Sequence, residues 1–151
     1  MVTVRLATEA DIPRILELYR ELVITTSQAE QEHKPPPDSF RQVFADISAH
    51  TGHELVVAEE DGKVIGTLVL LIVPNLSHGA LPWALVENMV VDRQHRRRGM
   101  GKLLMDYALT QARDAGCYKI VLSSNRKRPD AHRFYRSVGF EPSAHGFRRY
   151  F

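Results

Sequence analysis

The spacing of apolar residues changes period several times along the chain. Val2, Val4 and Leu6 alternate with polar residues, which predicts a short strand. Ile12, Ile15, Leu16, Tyr19, Leu22 and Val23 then recur at helical spacing. Thr8 or Asp11 can cap that helix, and Pro13, which prefers an early helical position, favours Asp11. Residues 27–38 are polar, hold Pro35, Pro36 and Pro37, and read as a mobile loop. Phe40, Val43, Phe44 and Ile47 predict a second helix ending before Gly52. The run ELVVAEEDGKVIGTLVLLIV predicts two strands joined at Asp61-Gly62, the second stopped by Pro74. NLSHGALPW is a loop, and ALVENMVV another strand. From Gly99 to Ala115, Leu103, Leu104, Tyr107, Ala108, Ala112 and Ala115 line one helical face, with Gly116 at the C-terminal cap. A strand over 118–122, a short helix over 130–138 and a Gly139-Phe140 turn into a last strand complete the pattern. The order β-α-α-β-β-β-α-β-α-β predicts an α/β (α+β) fold, one layered domain over residues 1–151 with no internal repeat.

Composition narrows the class. A chain of 151 residues that is 44% hydrophobic and 25% charged is ordinary for a globular protein. Its longest apolar run, Val64 to Val73, is broken by Gly66 and Thr67 and is too short to span a bilayer, so no membrane association is expected. MVTVRLATEAD has no signal-peptide core, which reads as cytoplasmic. The one cysteine, Cys117, cannot form an internal disulfide and reads as a small buried hydrophobe in a reducing compartment. The net charge of +2 hides an asymmetry. Residues 1–61 hold five Lys/Arg against twelve Asp/Glu, whereas residues 62–151 hold fifteen against six. The second part suits an anionic ligand.

The basic residues concentrate in DRQHRRRGMGKLL, Asp92 to Leu104, between a predicted strand and a predicted helix. A helix N-terminus leaves backbone N–H groups without partners and carries partial positive charge. Glycines let a phosphate approach that backbone. Arg96, Arg97, Arg98, Gly99, Met100, Gly101 and Lys102 therefore form a candidate pyrophosphate cradle. The spacing fits neither a Walker A loop nor a dinucleotide G-x-G-x-x-G turn. No helix-turn-helix, zinc-finger or RNP pattern accompanies the arginines, so nucleic acid is not the expected partner. His78, His95, His132 and His145 are scattered, and no metal site is predicted.

ALVENMVV, then DRQHRRRGMGKLL, then KIVLSSNRKRPDAHRFYRSVGF together resemble the GNAT superfamily of N-acetyltransferases. The family's Q/R-x-x-G-x-G/A loop is matched by Arg96 to Gly101. Its later Asn, aromatic pair and Gly-Phe are matched by Asn125, Phe134-Tyr135 and Gly139-Phe140. The resemblance implies a mixed, mostly antiparallel sheet flanked by helices, with splayed central parallel strands. It also implies acetyl-CoA as co-substrate. The pyrophosphate would rest on the amides of Arg96 to Lys102, and the pantetheine arm would lie between the splayed strands beside Met89, Val90, Val91, Asn125 and Phe134. The thioester carbonyl would meet the N–H of Val90 or Val91. Glu87, the only acidic residue of ALVENMVV, is the candidate general base, and Tyr135 stands at the family's general-acid position. Ala131, Phe134, Tyr135 and Val138 also follow the spacing of an ordinary core-facing stripe.

Two branches are similar. GCYKIVL with VEN resembles glucosamine-6-phosphate N-acetyltransferases, although their strand carries Glu-Asp where this chain has Glu87-Asn88. SSNRKRPDAHRFY with HGFRRYF resembles aminoalkylphosphonate N-acetyltransferases. Both acceptors are small amines bearing a phosphoryl or phosphonyl group, which Arg126, Lys127, Arg128, Arg148 or Arg149 can serve. The sequence leaves open a peptide or protein N-acetyltransferase and a non-catalytic acyl-CoA-binding module. It also leaves room for a homodimer paired through a last strand ending in FRRYF.

Overall fold

The computed structural model describes residues 1–151. Five strands form one sheet in the order β1 (Val2–Leu6), β2 (His53–Glu60), β3 (Lys63–Val73), β4 (Trp83–Val91) and β5 (Ile120–Val121). The first four pair antiparallel, and β4 and β5 pair parallel. The helices are α1 (Ile12–Tyr19), α2 (Gln28–Glu32), α3 (Ser39–Ala49), α4 (Ser77–Ala80, a single irregular turn in the predicted loop, with His78, Gly79 and Ala80 in left-handed backbone), α5 (Met100–Asp114) and α6 (Pro129–Ser137). No helix is long and apolar enough to cross a membrane.

The β2–β3 hairpin closes at the predicted turn. Asp61 and Gly62 both take left-handed backbone, φ 50° and 77°, the twist that a two-residue hairpin needs. Apolar residues then fill both faces of the sheet. On one face α5 contributes Met100, Leu104, Met105, Ala108 and Ala112, packed on Val56, Ile65, Leu68, Leu70, Ala84 and Val86. On the other, Ile15 and Leu18 of α1 pack on Val57, Val64 and Val90. Burying both faces removes most of the sheet's apolar surface from water, at about 25 cal/mol per Å².

Several expectations shift. The apolar periodicity of the first helix continues to Val23, but α1 ends at Tyr19, a turn follows over residues 20–22, and Val23 and Ile24 lie beyond it outside any helix. The polar stretch 27–38 is not all loop: Ser27 accepts the Glu30 N–H at 3.1 Å and caps the short α2. The buried face of α5 uses Met100 and Met105, while Leu103 is 41% exposed and Ala115 is exposed. The 118–122 strand shrinks to two residues, and no strand follows Phe140. Pro142 lacks an N–H to donate to a ladder, and residues 141–151 are all exposed. The parallel pair therefore lies at the edge of the sheet, not its centre.

One ionic knot fixes where β4 ends relative to α1. Asp92 accepts the Gln94 N–H at 2.8 Å and pairs with Arg14 of α1, whose Nε donates to the Val64 carbonyl at 3.0 Å. Burial opposes the charged form of Asp92, but the Gln94 N–H, His95 and Arg14 outweigh it and hold the carboxyl below its usual range. A carboxyl with a depressed folded-state pKa stabilises above its unfolded value and loses that contribution as pH falls through the folded one. Asp92→Ala should therefore lower the unfolding free energy by about 2 kcal/mol near neutral pH. The difference should shrink below about pH 4, as urea melts across that range will report.

Candidate active site

The paired stretch of β4 and β5 is short. Ala84 faces Ile120 and Leu85 faces Val121, and the ladder stops there. Next along β4 comes a bulge: Val69 pairs with Glu87 and Thr67 with Val90, so three steps on β4 oppose two on β3. Asn88 carries the extra residue at φ 50°, a left-handed conformation that asparagine tolerates better than most. The bulge exchanges the faces of the strand. Ala84 and Val86 point to the α5 side, whereas Val90, of the same parity, packs on the α1 side.

A cleft of about 390 Å³ opens where the strands part. Val86 to Met89 line one wall and Leu122 to Asn125 the other. Arg128 and Tyr135 come from the α6 region, and Tyr19 with Leu22 to Thr25 from the end of α1. A second hollow, lined by Thr51, Gly52, Ile72, Pro74 and Leu76 among others, has no titratable side chain.

Glu87 and Tyr135 share the cleft. Burial pushes the Tyr135 phenol above its usual value, with Arg128 pulling it down and Glu87 pushing it further up. The Tyr135 ring packs edge-on against Phe134 and Phe140, at centroid distances of 5.4 and 6.1 Å. Asn125 lines the cleft too, but its Oδ1 is occupied: it accepts the Lys127 N–H at 2.9 Å and shapes the turn into α6. The Asn125 carbonyl faces His132 Nε2 at 2.8 Å, so His132 turns to this turn and not to Tyr135. Cys117 is half-buried and its thiol is pushed up by burial, so nothing activates it.

The basic loop ends differently from its composition. Arg96 pairs with Glu21 at 2.7 Å, Arg98 with Glu60 at 3.1 Å and Lys102 with Asp106 at 2.7 Å. Arg97, at φ 62°, has no ion pair. What the loop leaves free is backbone. The first bond into α5 runs from the Leu103 N–H to the Gly99 carbonyl at 3.1 Å, so the amides before Leu103 have no helical acceptor. Gly99 takes φ 83° at the helix start. At Gly101 a Cβ would sit 3.3 Å from the Phe134 ring and 3.6 Å from the Met89 methyl. Met100 is buried in the core, so only its main chain faces the loop.

The phase of the β3–β4 ladder separates the two valines. Asp92 donates its N–H to the Ile65 carbonyl at 2.7 Å. Counting back, Val90 falls in the hydrogen-bonded pair with Thr67, and Val91 in the open pair with Gly66. The Val91 carbonyl accepts Arg96 Nε at 3.0 Å, away from β3, and the Val91 N–H points to that same edge.

The profile of the Acetyltransferase (GNAT) family matches residues 15–140. The chain belongs to the GNAT family. It is 31% identical to the aminoalkylphosphonate N-acetyltransferase of Salmonella typhimurium over 92% of this chain and 84% of that protein. It is 29% identical to the glucosamine 6-phosphate N-acetyltransferase of Trypanosoma brucei brucei over 90% and 86%. A solved structure from Agrobacterium tumefaciens str. C58, provisionally assigned as an acetyltransferase, superposes with a TM-score of 0.85 at 37% identity, covering 97% of this chain and 98% of that one. This GNAT chain is an N-acetyltransferase.

Sequence reasoning missed several contributors to this GNAT cleft, among them Tyr19, the Leu22–Thr25 segment and Tyr150. Tyr19 and Leu22 were legible as an apolar stripe, and the tail as a last strand ending in FRRYF, but neither pattern indicates a cleft wall. The electrostatics of Tyr135 are directly measurable. In ¹³C-tyrosine NMR titrations, Glu87→Gln should move the Tyr135 ionisation to lower pH and Arg128→Gln to higher pH, with Tyr135→Phe identifying the signal.

Proposed function

We propose that this GNAT chain transfers the acetyl group of acetyl-CoA directly to the primary amine of a small acceptor that bears a phosphoryl or phosphonyl group. The observation that carries this reading is the cleft itself, in which a carboxylate and a half-buried phenol face an opening between two parted strands. The names of the Salmonella and trypanosomal relatives support the class of acceptor.

The residues suit the coenzyme. The amides from Arg96 to Lys102 can hold a pyrophosphate, helped by the helix N-terminus and by Arg97. The open edge of β4 beside Met89, with the Asn125 amide opposite and Phe134 nearby, accepts an extended arm. Bound acetyl-CoA supplies a thioester, an acyl group activated toward nitrogen. Glu87 accepts, directly or through water, the proton that an ammonium must lose before it attacks. The C–N bond forms as the C–S bond breaks, and the nitrogen releases its second proton to solvent. The Val91 N–H meets the negative charge on the carbonyl oxygen. Tyr135 gives its proton to the departing sulfur and is reprotonated by way of solvent.

The raised pKa sets the sign of the pH response. Tyr135 stays protonated beyond the ordinary tyrosine range, so the wild-type rate should hold through about pH 9. Tyr135→Phe should lower kcat by about 100-fold, and Glu87→Gln should lower kcat as well, with thiol release as the readout. Turnover of peptides but not of small phosphorylated or phosphonylated amines would overturn the assigned acceptor.

Coenzyme binding tests the loop separately. Gly101→Val should weaken CoA binding more than alanine at Arg96, Arg97, Arg98 or Lys102, as measured by calorimetry or by the thermal shift with CoA. An arginine variant that weakened binding more than Gly101→Val would assign the dominant role to charge.

A further inference from the structure

Two basic residues that make no ion pair line the cleft. The cleft is lined by one carboxylate, Glu87, and two guanidiniums, Arg128 and Arg148. Neither arginine has a carboxylate partner. Arg128 uses only Nη2, donating to the Leu22 carbonyl at 2.6 Å and the Glu21 carbonyl at 3.4 Å. Its other donors remain unused. Arg148 donates Nη1 to the Tyr150 hydroxyl at 3.2 Å. The tail that carries Arg148 is tied to α2: the main-chain oxygen of Phe151 accepts the Ala29 N–H at 2.9 Å. Tyr150 lines the same wall. The remaining basic candidates are placed otherwise. Arg126 and Lys127 do not line the cleft, and Arg149 lies 5.7 Å over the Phe151 ring.

We propose that Arg128 and Arg148 together form an oxyanion subsite, and that the C-terminal tail thereby selects acceptors whose amine lies within reach of Glu87 while a phosphoryl or phosphonyl group sits between the two guanidiniums. This rests on the reading of the cleft as the acetyl-transfer site. Guanidiniums present forked N–H donors that match tetrahedral phosphorus oxyanions, and a cleft with one carboxylate and two guanidiniums complements a molecule with one ammonium and a dianion. Arg128 has a double duty, because it also holds the Leu22 carbonyl and so the opposite wall. Arg148 has only the tail and the anion to serve, which makes it the cleaner position to test.

The experiment compares kcat/KM, read as thiol release, for an aminoalkylphosphonate, an amino-sugar phosphate, an amino acid of similar length and the neutral amine and amino sugar. Wild type should prefer the phosphorus-bearing acceptors, and whether phosphonate or phosphate ester is faster identifies the source of the anion. Arg148→Gln should cut that preference by about 10- to 100-fold, mainly through KM, and Arg148→Lys should restore part of it. Arg149→Gln, which leaves the cleft wall intact, should keep the wild-type preference. Equal kcat/KM for charged and neutral amines in wild type, or an unchanged preference in Arg148→Gln, would overturn the subsite and leave the transferase reading standing. A preference for the amino acid would replace the phosphorus oxyanion by a carboxylate and overturn the assigned class. No thiol release from any amine would overturn both readings at once.

Discussion

Two parallel strands that begin paired and then part impose the demand that the rest of the structure answers. After Leu85 and Val121, β4 and β5 present main-chain donors and acceptors to each other across an opening with no ladder between them. Backbone polar groups in such a place need partners, and water or an extended ligand must supply them. The bulge at Asn88 maintains the separation. It turns the remainder of β4 over, so that Val90 joins the α1 core and Val91 presents its main chain to the open edge. Without the bulge, Val90 would stay on the face of Ala84 and Val86, and α1 would lose one of the five side chains in its core.

Charge is arranged around that opening in two unlike ways. At the start of α5 the fold neutralises its own cations, pairing Arg96, Arg98 and Lys102 with Glu21, Glu60 and Asp106. Those pairs brace the loop against the α1 end, β2 and the next turn of α5. They leave the unused amides as the loop's main resource for an anion. On the cleft wall Arg128 and Arg148 stay unpaired. The chain's basic second part thus includes cations paired within the fold and, separately, cations that line the cleft.

Most element types and their order were legible because the apolar periods are long and the turn chemistry is explicit. Asp61-Gly62, Pro74 and Gly116 each mark a boundary that the structure keeps within a few residues. The family's loop, the aromatic pair and Glu87 were legible as well, and Glu87, Asn125 and Tyr135 meet at one cleft. What sequence could not convey depends on tertiary pairing. The helical period past Tyr19 belongs to residues that instead line the cleft, and the predicted last strand does not form next to a β5 of two residues. The bulge left a faint trace, an asparagine inside an otherwise β-favouring run. Which arginines are neutralised was invisible, since Glu21 and Glu60 lie far from them in sequence.

The stripe on α6 shows why a packing reading and a functional reading of the same residues need not compete. Ala131, Phe134, Tyr135 and Val138 are spaced as a core-facing surface, and Phe134, Tyr135 and Val138 do pack against the α5 core. Phe134 does so at Gly101, where its ring would lie 3.3 Å from an added Cβ. One residue on, Tyr135 reaches the cleft from a turn of helix seated by that contact. The first turn of α5, which offers its amides to an anion, is therefore in van der Waals contact with the helix that carries the phenol. A side chain at Gly101 disturbs both ends together, through packing that displaces Phe134 and through the backbone of the loop. The glycine serves the close approach of two helices as much as the approach of a phosphate, and that approach fixes how far the phenol stands from the parted strands.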